Sequence, residues 1–254
     1  MLSGYEIALA GLAAIAAGMI NALAGGGTLV SFPALIALGV PDVAANITNT
    51  VALCPGYLGG AIAQREDLHG QRRRLWLIVP AGIIGGIAGS ALLLVASEQV
   101  FHVLIPFLIL LAALLLAVQD RVRDWVSKRS HRTGPSGVGG KIVLPVGLAA
   151  VYGGYFGAGM SVIVLAVLGL FFDDTLTRLN ALKQCISLSI NVAAAAFFLF
   201  SGMVLWPLAL VMATGALAGG IAGGKVAGRI NPDLLRWTVV VISSAVGILL
   251  LVRQ

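Results

Sequence analysis

Apolar residues run in long blocks along this chain, and polar residues gather in a few short gaps. The blocks are Tyr5–Ala24, Thr28–Leu38, Val43–Ala63, Leu75–Ala96, Val100–Val118, Ile142–Phe156, Met160–Phe172, Leu179–Phe200, Val204–Gly223 and Leu234–Val252. None shows the short alternating segments of a membrane β-barrel. About 20 residues cross a bilayer core as a helix. Thr28–Leu38 and Met160–Phe172 are too short to cross untilted, and both read as half-helices that follow a break.

The breaks are built from glycine. In NALAGGGTLVSFPALIALG, Asn21 to Gly39, the apolar run is interrupted by Gly25, Gly26 and Gly27, and Pro33 follows six residues later. Glycine weakens a helix and proline removes a backbone donor. In hydrocarbon such a break survives only when buried in protein or lining a wet cavity. The pattern recurs in GGYFGAGMSVIVLAVLG, Gly153 to Gly169. Gly25 matches Gly157 and Gly27 matches Gly159 at a spacing of 132, and Gly39 matches Gly169 at 130. Asn46-Ile47-Thr48-Asn49 aligns with Asn180-Ala181-Leu182-Lys183 at 134. The chain therefore divides into an N-terminal repeat, 1–119, a basic linker, 120–140, and a C-terminal repeat, 141–254. The expected fold is an all-α, polytopic membrane helical bundle. Its two inverted repeats each open on a broken or re-entrant helix. Paired interrupted segments of this kind point to a transporter's binding site.

Composition narrows the class. Of 254 residues, 59% are hydrophobic and only 10% charged, with 33 glycines and a mean hydropathy of +1.02. A soluble domain carries about a quarter charged residues, so a multi-pass membrane protein is expected. The net charge of +6 does not imply nucleic acid, because the basic residues sit in short loops, as topology signals do. Those loops are Gln64–Arg74, Asp120–Lys141 and Lys225–Asp233. If each broken segment crosses the membrane once, the chain has eight spans and basic residues fall on both sides. If each dips in and returns, six spans remain. Nearly every Lys and Arg then gathers on one side, leaving Arg253 on the other and Lys183 within a span. The positive-inside rule favours the second layout, which makes the repeats inverted and turns both termini outward. No Lys or Arg precedes Arg65, so no cleavable signal is expected.

Candidate chemistry is sparse. Lys183 lies inside the block Leu179–Phe200, opposite Asn49 in the repeat. An ammonium within a membrane segment is costly and marks function by default, although a lysine near a helix start also snorkels. Half-helices that begin after Gly27 and Gly159 would aim free N–H groups and a positive dipole end inward, which suits an anion. Within the predicted spans the only carboxylate is Glu6, so neither a sodium nor a metal cage is expected, and no cofactor is implied. The expected substrate-binding residues are Asn21, Gly25, Gly26, Gly27, Thr28, Asn46, Thr48, Asn49, Gly157, Gly159, Ser161, Asn180, Lys183 and Gln184, with Ser31 beside them. Each polar one of these also suits a helix–helix hydrogen bond. Cys54 and Cys185 sit in apolar blocks without CxxC or Cys/His spacing. His69, His102 and His131 are scattered, and HExxH and GxSxG are missing, so no catalytic set is formed.

The run from Asn21 to Gly39 resembles the first signature of the sulfite exporter TauE/SafE family. Asn46-Ile47-Thr48-Asn49-Thr50, Pro55, Gly59 and Gly60 resemble the helix that follows it, and Gly153–Gly159 with Asn180–Lys183 resemble the second-half signature. Two departures stand out: Leu165, where proline is frequent, and Ala158-Gly159-Met160, where more glycine is usual. They predict a softer second break. The resemblance implies an inner-membrane permease of small sulfur-containing anions such as sulfite, sulfonates or related organic acids, with several members assigned export. Carried onto this chain, the glycine breaks and the pair Asn49/Lys183 would form the central site.

The expectation is thus a secondary transporter and probable exporter of small anions, working by alternating access in the cell inner membrane. The alternatives are an anion channel and, more remotely, an intramembrane enzyme. Two routes for protons stay open: coupling through the protein, for which no buried carboxylate or histidine is an obvious relay, and carriage with the substrate as a weak acid.

Overall fold

The computed structural model describes residues 3–23, 26–129, 140–226 and 232–253. They form eleven α-helices and no strand among the described residues. In the first half these are α1 (Gly4–Leu23), α2 (Thr28–Ala37), α3 (Asp42–Ala63), α4 (Arg72–Val95) and α5 (Glu98–Ala117). The second half repeats the order as α7 (Val143–Tyr155), α8 (Met160–Phe171), α9 (Leu176–Leu199), α10 (Trp206–Val226) and α11 (Pro232–Arg253), with α6 (Gln119–Arg129) between the halves. A 3-10 turn, Arg65–Leu68, lies between α3 and α4. Six helices are long and apolar enough to cross a membrane: α1, α4, α5, α9, α10 and α11. The exposed faces remain greasy, as at Leu12, Ile84, Phe107, Leu144 and Val241. That pattern suits hydrocarbon rather than water.

Three expectations change on contact with the fold. The linker 120–140 begins as a helix rather than a loop. Val126 is buried on it against Gly169 of α8, and the surrounding charges hide that apolar contact in the sequence. Pro33 does not contribute to the break; it sits inside α2. Proline frees the carbonyl four residues back, which is Leu29, and the Ser243 hydroxyl of α11 donates to that oxygen at 3.3 Å. The pairing of Gly39 with Gly169 is not structural. Gly39 ends α2 with φ +78°, whereas Gly169 lies within α8.

The halves exchange partners in matched fashion. α1 packs on α10, and α7 packs on α4; α3 packs on α10, and α9 packs on α4. α3 also meets α9, and α5 meets α11. Glycines set the close crossings. A Cβ on Gly219 would fall on the Ile15 carbonyl, and one on Gly223 would meet Met19. Likewise Gly85 lies on Gly147 and Gly89 on Val151. Residue numbers rise together in both pairs, so α1 runs parallel to α10 and α4 to α7. Small residues at such crossings let backbones approach closely.

The same reading fixes the remaining directions. Gln71, just before α4, donates to the Arg178 carbonyl in the first turn of α9 at 3.1 Å. Further along, Gly82 meets Ser189 and Gly86 meets Ile190. Thus α4 and α9 start together and run side by side, and α7 points the same way as both. Because α8 connects α7 to α9 through short turns, it must run back against them. The turn after α8 also lies at the α4 end, where Arg74 bonds Asp174.

Candidate functional site

Both breaks are present. α1 stops at Leu23 and α2 starts at Thr28, with Gly26 at φ +89°. A Cβ on Gly27 would strike the Ala17 carbonyl and touch the Asn21 Cβ at 3.1 Å. The start of α2 therefore lies back along α1, and only glycine fits there. Gly25 lies outside the described residues. The second break is not softer. Gly157 and Gly159 take φ +79° and +73°, a left-handed geometry that L side chains rarely adopt. Tyr152 ties this turn: its carbonyl accepts from Phe156 and Gly157, and its hydroxyl donates to the Ala158 carbonyl at 2.6 Å.

α2 and α8 each begin without a side-chain cap. The amide hydrogens expected to be free are largely taken by the turns' own carbonyls. Leu29 is held by Gly26 at 2.9 Å and Val30 by Gly27 at 3.0 Å, Met160 by Gly157 at 3.2 Å and Val162 by Gly159 at 3.0 Å. Each start therefore offers chiefly the positive end of its dipole. The two breaks lean on one helix. Gly26 faces Leu116 of α5, and Gly159 faces Ala112 and Leu115 of the same helix. Phe32 of α2 packs edge-on against Phe156 at 5.2 Å between centroids, and Phe101 packs on Tyr155 at 5.7 Å. Edge-to-face rings of this kind fix geometry as well as fill space.

The inner helices α3 and α9 bring polar groups to these breaks. Asn46 donates from Nδ2 to the Tyr155 carbonyl at 2.9 Å, so α3 holds the end of α7 at the second break. The Tyr57 phenol lies close to Thr28, at the first break, and to Asn191 on α9. Asn191 in turn donates to the Ser187 carbonyl at 2.9 Å. Four buried polar atoms have no protein partner near these elements: Oδ1 of Asn46, Asn49 and Asn180, and Oγ of Ser187. An unpaired buried polar atom costs about 1–3 kcal/mol. Gln64 Oε1 and Arg236 Nε are unpartnered in the same way elsewhere.

Lys183, Ser187 and Asn191 share one face of α9 at i, i+4 and i+8. Lys183 is half-buried, about 10 Å along α9 from its start at 1.5 Å per residue. It lies close enough to Arg123 of α6 for the two cations to interact. Lys183 therefore stands toward one end of a polar stripe, and Asn191 stands at its deep end.

The structure gathers the predicted residues unevenly. Thr28 joins the Tyr57–Asn191 group, Asn46 serves the second break, and Gly26, Gly27, Gly157 and Gly159 form the turns themselves. Thr48 is drawn elsewhere, for its hydroxyl accepts from Leu205 N–H at 3.1 Å before α10. Asn49 is 1% exposed. Asn21, Ser161, Asn180 and Gln184 are half-buried. Ser31 donates back to the Gly27 carbonyl at 3.2 Å, closing the first turn of α2. Ser187 and Asn191 follow Lys183 in its apolar block but were not among the expected binding residues, and Tyr57 was not singled out at all. One signal existed: Tyr57 and Asn191 are 134 residues apart, the spacing that also aligns Asn49 with Lys183.

Residues 10–250 match the family described as Sulfite exporter TauE/SafE. A Haemophilus influenzae protein named "Probable membrane transporter protein" is 28% identical over 227 residues, 89% of this chain and 87% of its own. A Sinorhizobium protein, "Probable membrane transporter protein ORF9", is 26% identical, covering 98% of this chain and 94% of its own. "Probable membrane transporter protein YfcA" of Escherichia coli K12 is 24% identical, covering 99% and 91%. No solved structure matches.

Proposed function

The chain belongs to the sulfite exporter TauE/SafE family of membrane transporters, and from that premise we propose that it is a secondary exporter of small anions. The substrate class is sulfite, sulfonates or related organic acids, moved across the cell inner membrane by alternating access. The observation that carries this reading is the pair of glycine turns. Each starts a short uncapped helix in the interior, beside buried polar atoms without protein partners. Uncapped helix starts favour negative charge. Lys183 and Arg123 add positive potential at one end of the polar stripe, and Tyr57, Asn191 and Ser187 add neutral donors deeper in.

The two halves, 1–119 and 141–254, act as inverted repeats. Support comes from the matched exchange of helices and from the directions of α4, α7 and α9. With α8 running back, α7–α8 is a re-entrant pair followed by three spans. The same layout in the first half makes α1–α2 the re-entrant pair, although α1 is long enough to cross, and has α3 cross with α4 and α5. That gives an odd number per half, which inverts the second half. The end carrying Arg74, Arg178, Arg236 and α6 then faces the cytoplasm by the positive-inside rule. Lys183 sits near that entrance, where it draws anions from inside. Rocking of one half on the other would expose the Tyr57–Asn191 group to each side in turn.

The test uses the protein in liposomes loaded with labelled sulfite. Saturable efflux with counterflow is the expected outcome, and steady single-channel current would replace the carrier with a pore. Lys183→Ala should lower flux by about tenfold, the equivalent of about 1.4 kcal/mol. Unchanged flux in that variant sinks the assigned role of Lys183, and failure of every small anion to move sinks the whole reading.

A further inference from the structure

An apolar groove of about 680 Å³ runs along the outside of the bundle between α4 and α9. Val79, Ile83 and Ile87 line one wall, and Cys185, Val192 and Phe200 the other. The groove is open: Ile83 is 38% and Val192 49% exposed. It sits between two helices apolar enough to cross a membrane, so what faces it is lipid.

Its two ends differ in charge. At 100° per residue, Arg72, Trp76, Val79, Ile83 and Ile87 fall within about 80° on α4. Arg72 and Trp76 thus lie on the same face of α4 before the groove, with Arg72 two turns, about 10 Å, from Val79, the first lining residue on that helix. Both are exposed, and Arg72 has no ion pair among the described residues. On α9, Arg178 lies on the face of Cys185 and Val192 in the same way, and its guanidinium lies beside Gly70. Asp174 engages Arg74 and Arg178, which leaves Arg72 to face the bilayer surface. The opposite end, at the turns 96–97 and 200–205, contains no Lys or Arg. Tryptophan prefers the headgroup level, and a guanidinium binds phosphate in a forked geometry.

We propose that this groove holds an acyl chain of an anionic phospholipid from the cytoplasmic leaflet, with the lipid phosphate on Arg72 at the mouth. The assignment rests on the orientation proposed above, but not on the transported solute. The headgroup sits beside the Arg74–Asp174 contact, which joins α4 to the turn before α9. Basic residues near a cytoplasmic membrane surface attract anionic headgroups.

Native mass spectrometry of the protein from mixed phosphatidylglycerol and phosphatidylcholine micelles tests the assignment without any flux measurement. The parent protein should retain phosphatidylglycerol in preference to phosphatidylcholine. Arg72→Gln should reduce that preference about fivefold, the weight of one basic side chain near a charged surface. Ile83→Trp, which fills the groove, should abolish the retained lipid. Equal retention of both lipids by the parent overturns the proposal, as does undiminished phosphatidylglycerol on Ile83→Trp. So does a dimer that Ile83→Trp dissolves, since the groove would then receive a second copy of the chain. If Ile83→Trp does not fold, Cys185 provides the readout in a Cys54→Ala background. Phosphatidylglycerol should slow maleimide labelling of Cys185, and labelling indifferent to that lipid overturns the site.

Discussion

At the end where α4 and α9 begin, Asp174 receives Arg74 from α4 and Arg178 from α9, and Arg74 lies over the Phe172 ring at 4.5 Å. Gln71 adds its bond to the Arg178 carbonyl. At the opposite end, the first half meets the second through a neutral bond, Thr48 to the Leu205 N–H. The charged contact there, His102 to Asp42 at 2.5 Å, joins α5 to α3 within the same half. The two ends of one pseudo-symmetric bundle are thus closed by different physics. Charge crosses the halves at the basic end, whereas toward the other end they are joined by neutral hydrogen bonds, from the Leu205 N–H to Thr48 and from Asn46 to the Tyr155 carbonyl.

The strongest way to break this contrast is Asp174→Ala. The three side chains are largely buried, at 15–34% exposure, and removing the carboxylate strands two arginines. A loss of about 3 kcal/mol is expected, the low end for buried pairs, read as a lowered Tm in detergent. The double variant Arg74→Met with Asp174→Leu should recover part of it, because Arg74 is then no longer stranded and only the more exposed Arg178 is. No recovery would mean that Asp174 acts through something other than Arg74.

Thr48→Val comes next, at about 1 kcal/mol, because it leaves a half-buried N–H before α10 without its acceptor. The same thermal assay reads it. A loss equal to that of Asp174→Ala would erase the contrast.

A pH series sharpens the comparison. Burial pushes the Asp174 carboxyl up, but hydrogen bonds from Arg74, Arg178 and the Thr175 N–H outweigh it and hold it below its ordinary value of 3.8. A depressed carboxyl contributes stability above its unfolded pKa and loses it as pH falls through the folded value. The Tm gap between parent and Asp174→Asn should therefore stay constant from pH 8 to about pH 5 and shrink below about pH 4. A gap that closes near neutrality would assign the effect to another group. The smallest expected effect is His102→Gln, at about 0–1 kcal/mol, since His102 is 57% exposed and exposed pairs contribute little.

The glycine turns were legible in the sequence because backbone sterics are local. Gly26, Gly157 and Gly159 take left-handed φ values whatever packs around them. The helices were legible because water and hydrocarbon sort residues along the chain. Less was visible where meaning depends on a distant neighbour. Asn46 looked like a candidate ligand, and it became a clamp on Tyr155. Thr48 looked equivalent to it, and it points instead toward Leu205. Tyr57 attracted no attention on α3 until Thr28 and Asn191 came within its reach. The helix α6 was concealed because one buried valine among charges carries no period to read.

By itself the sequence determined that this chain lives in lipid, that its helices break twice at glycine, and that its cations gather in a few loops. These follow from solvation and sterics, which act residue by residue. Only the tertiary structure decided that the short helices fold back beside their partners, that α3 and α9 share the interior, and which side chains meet at each turn. Those outcomes depend on how helices cross, and a crossing is settled by surfaces that lie far apart in the chain.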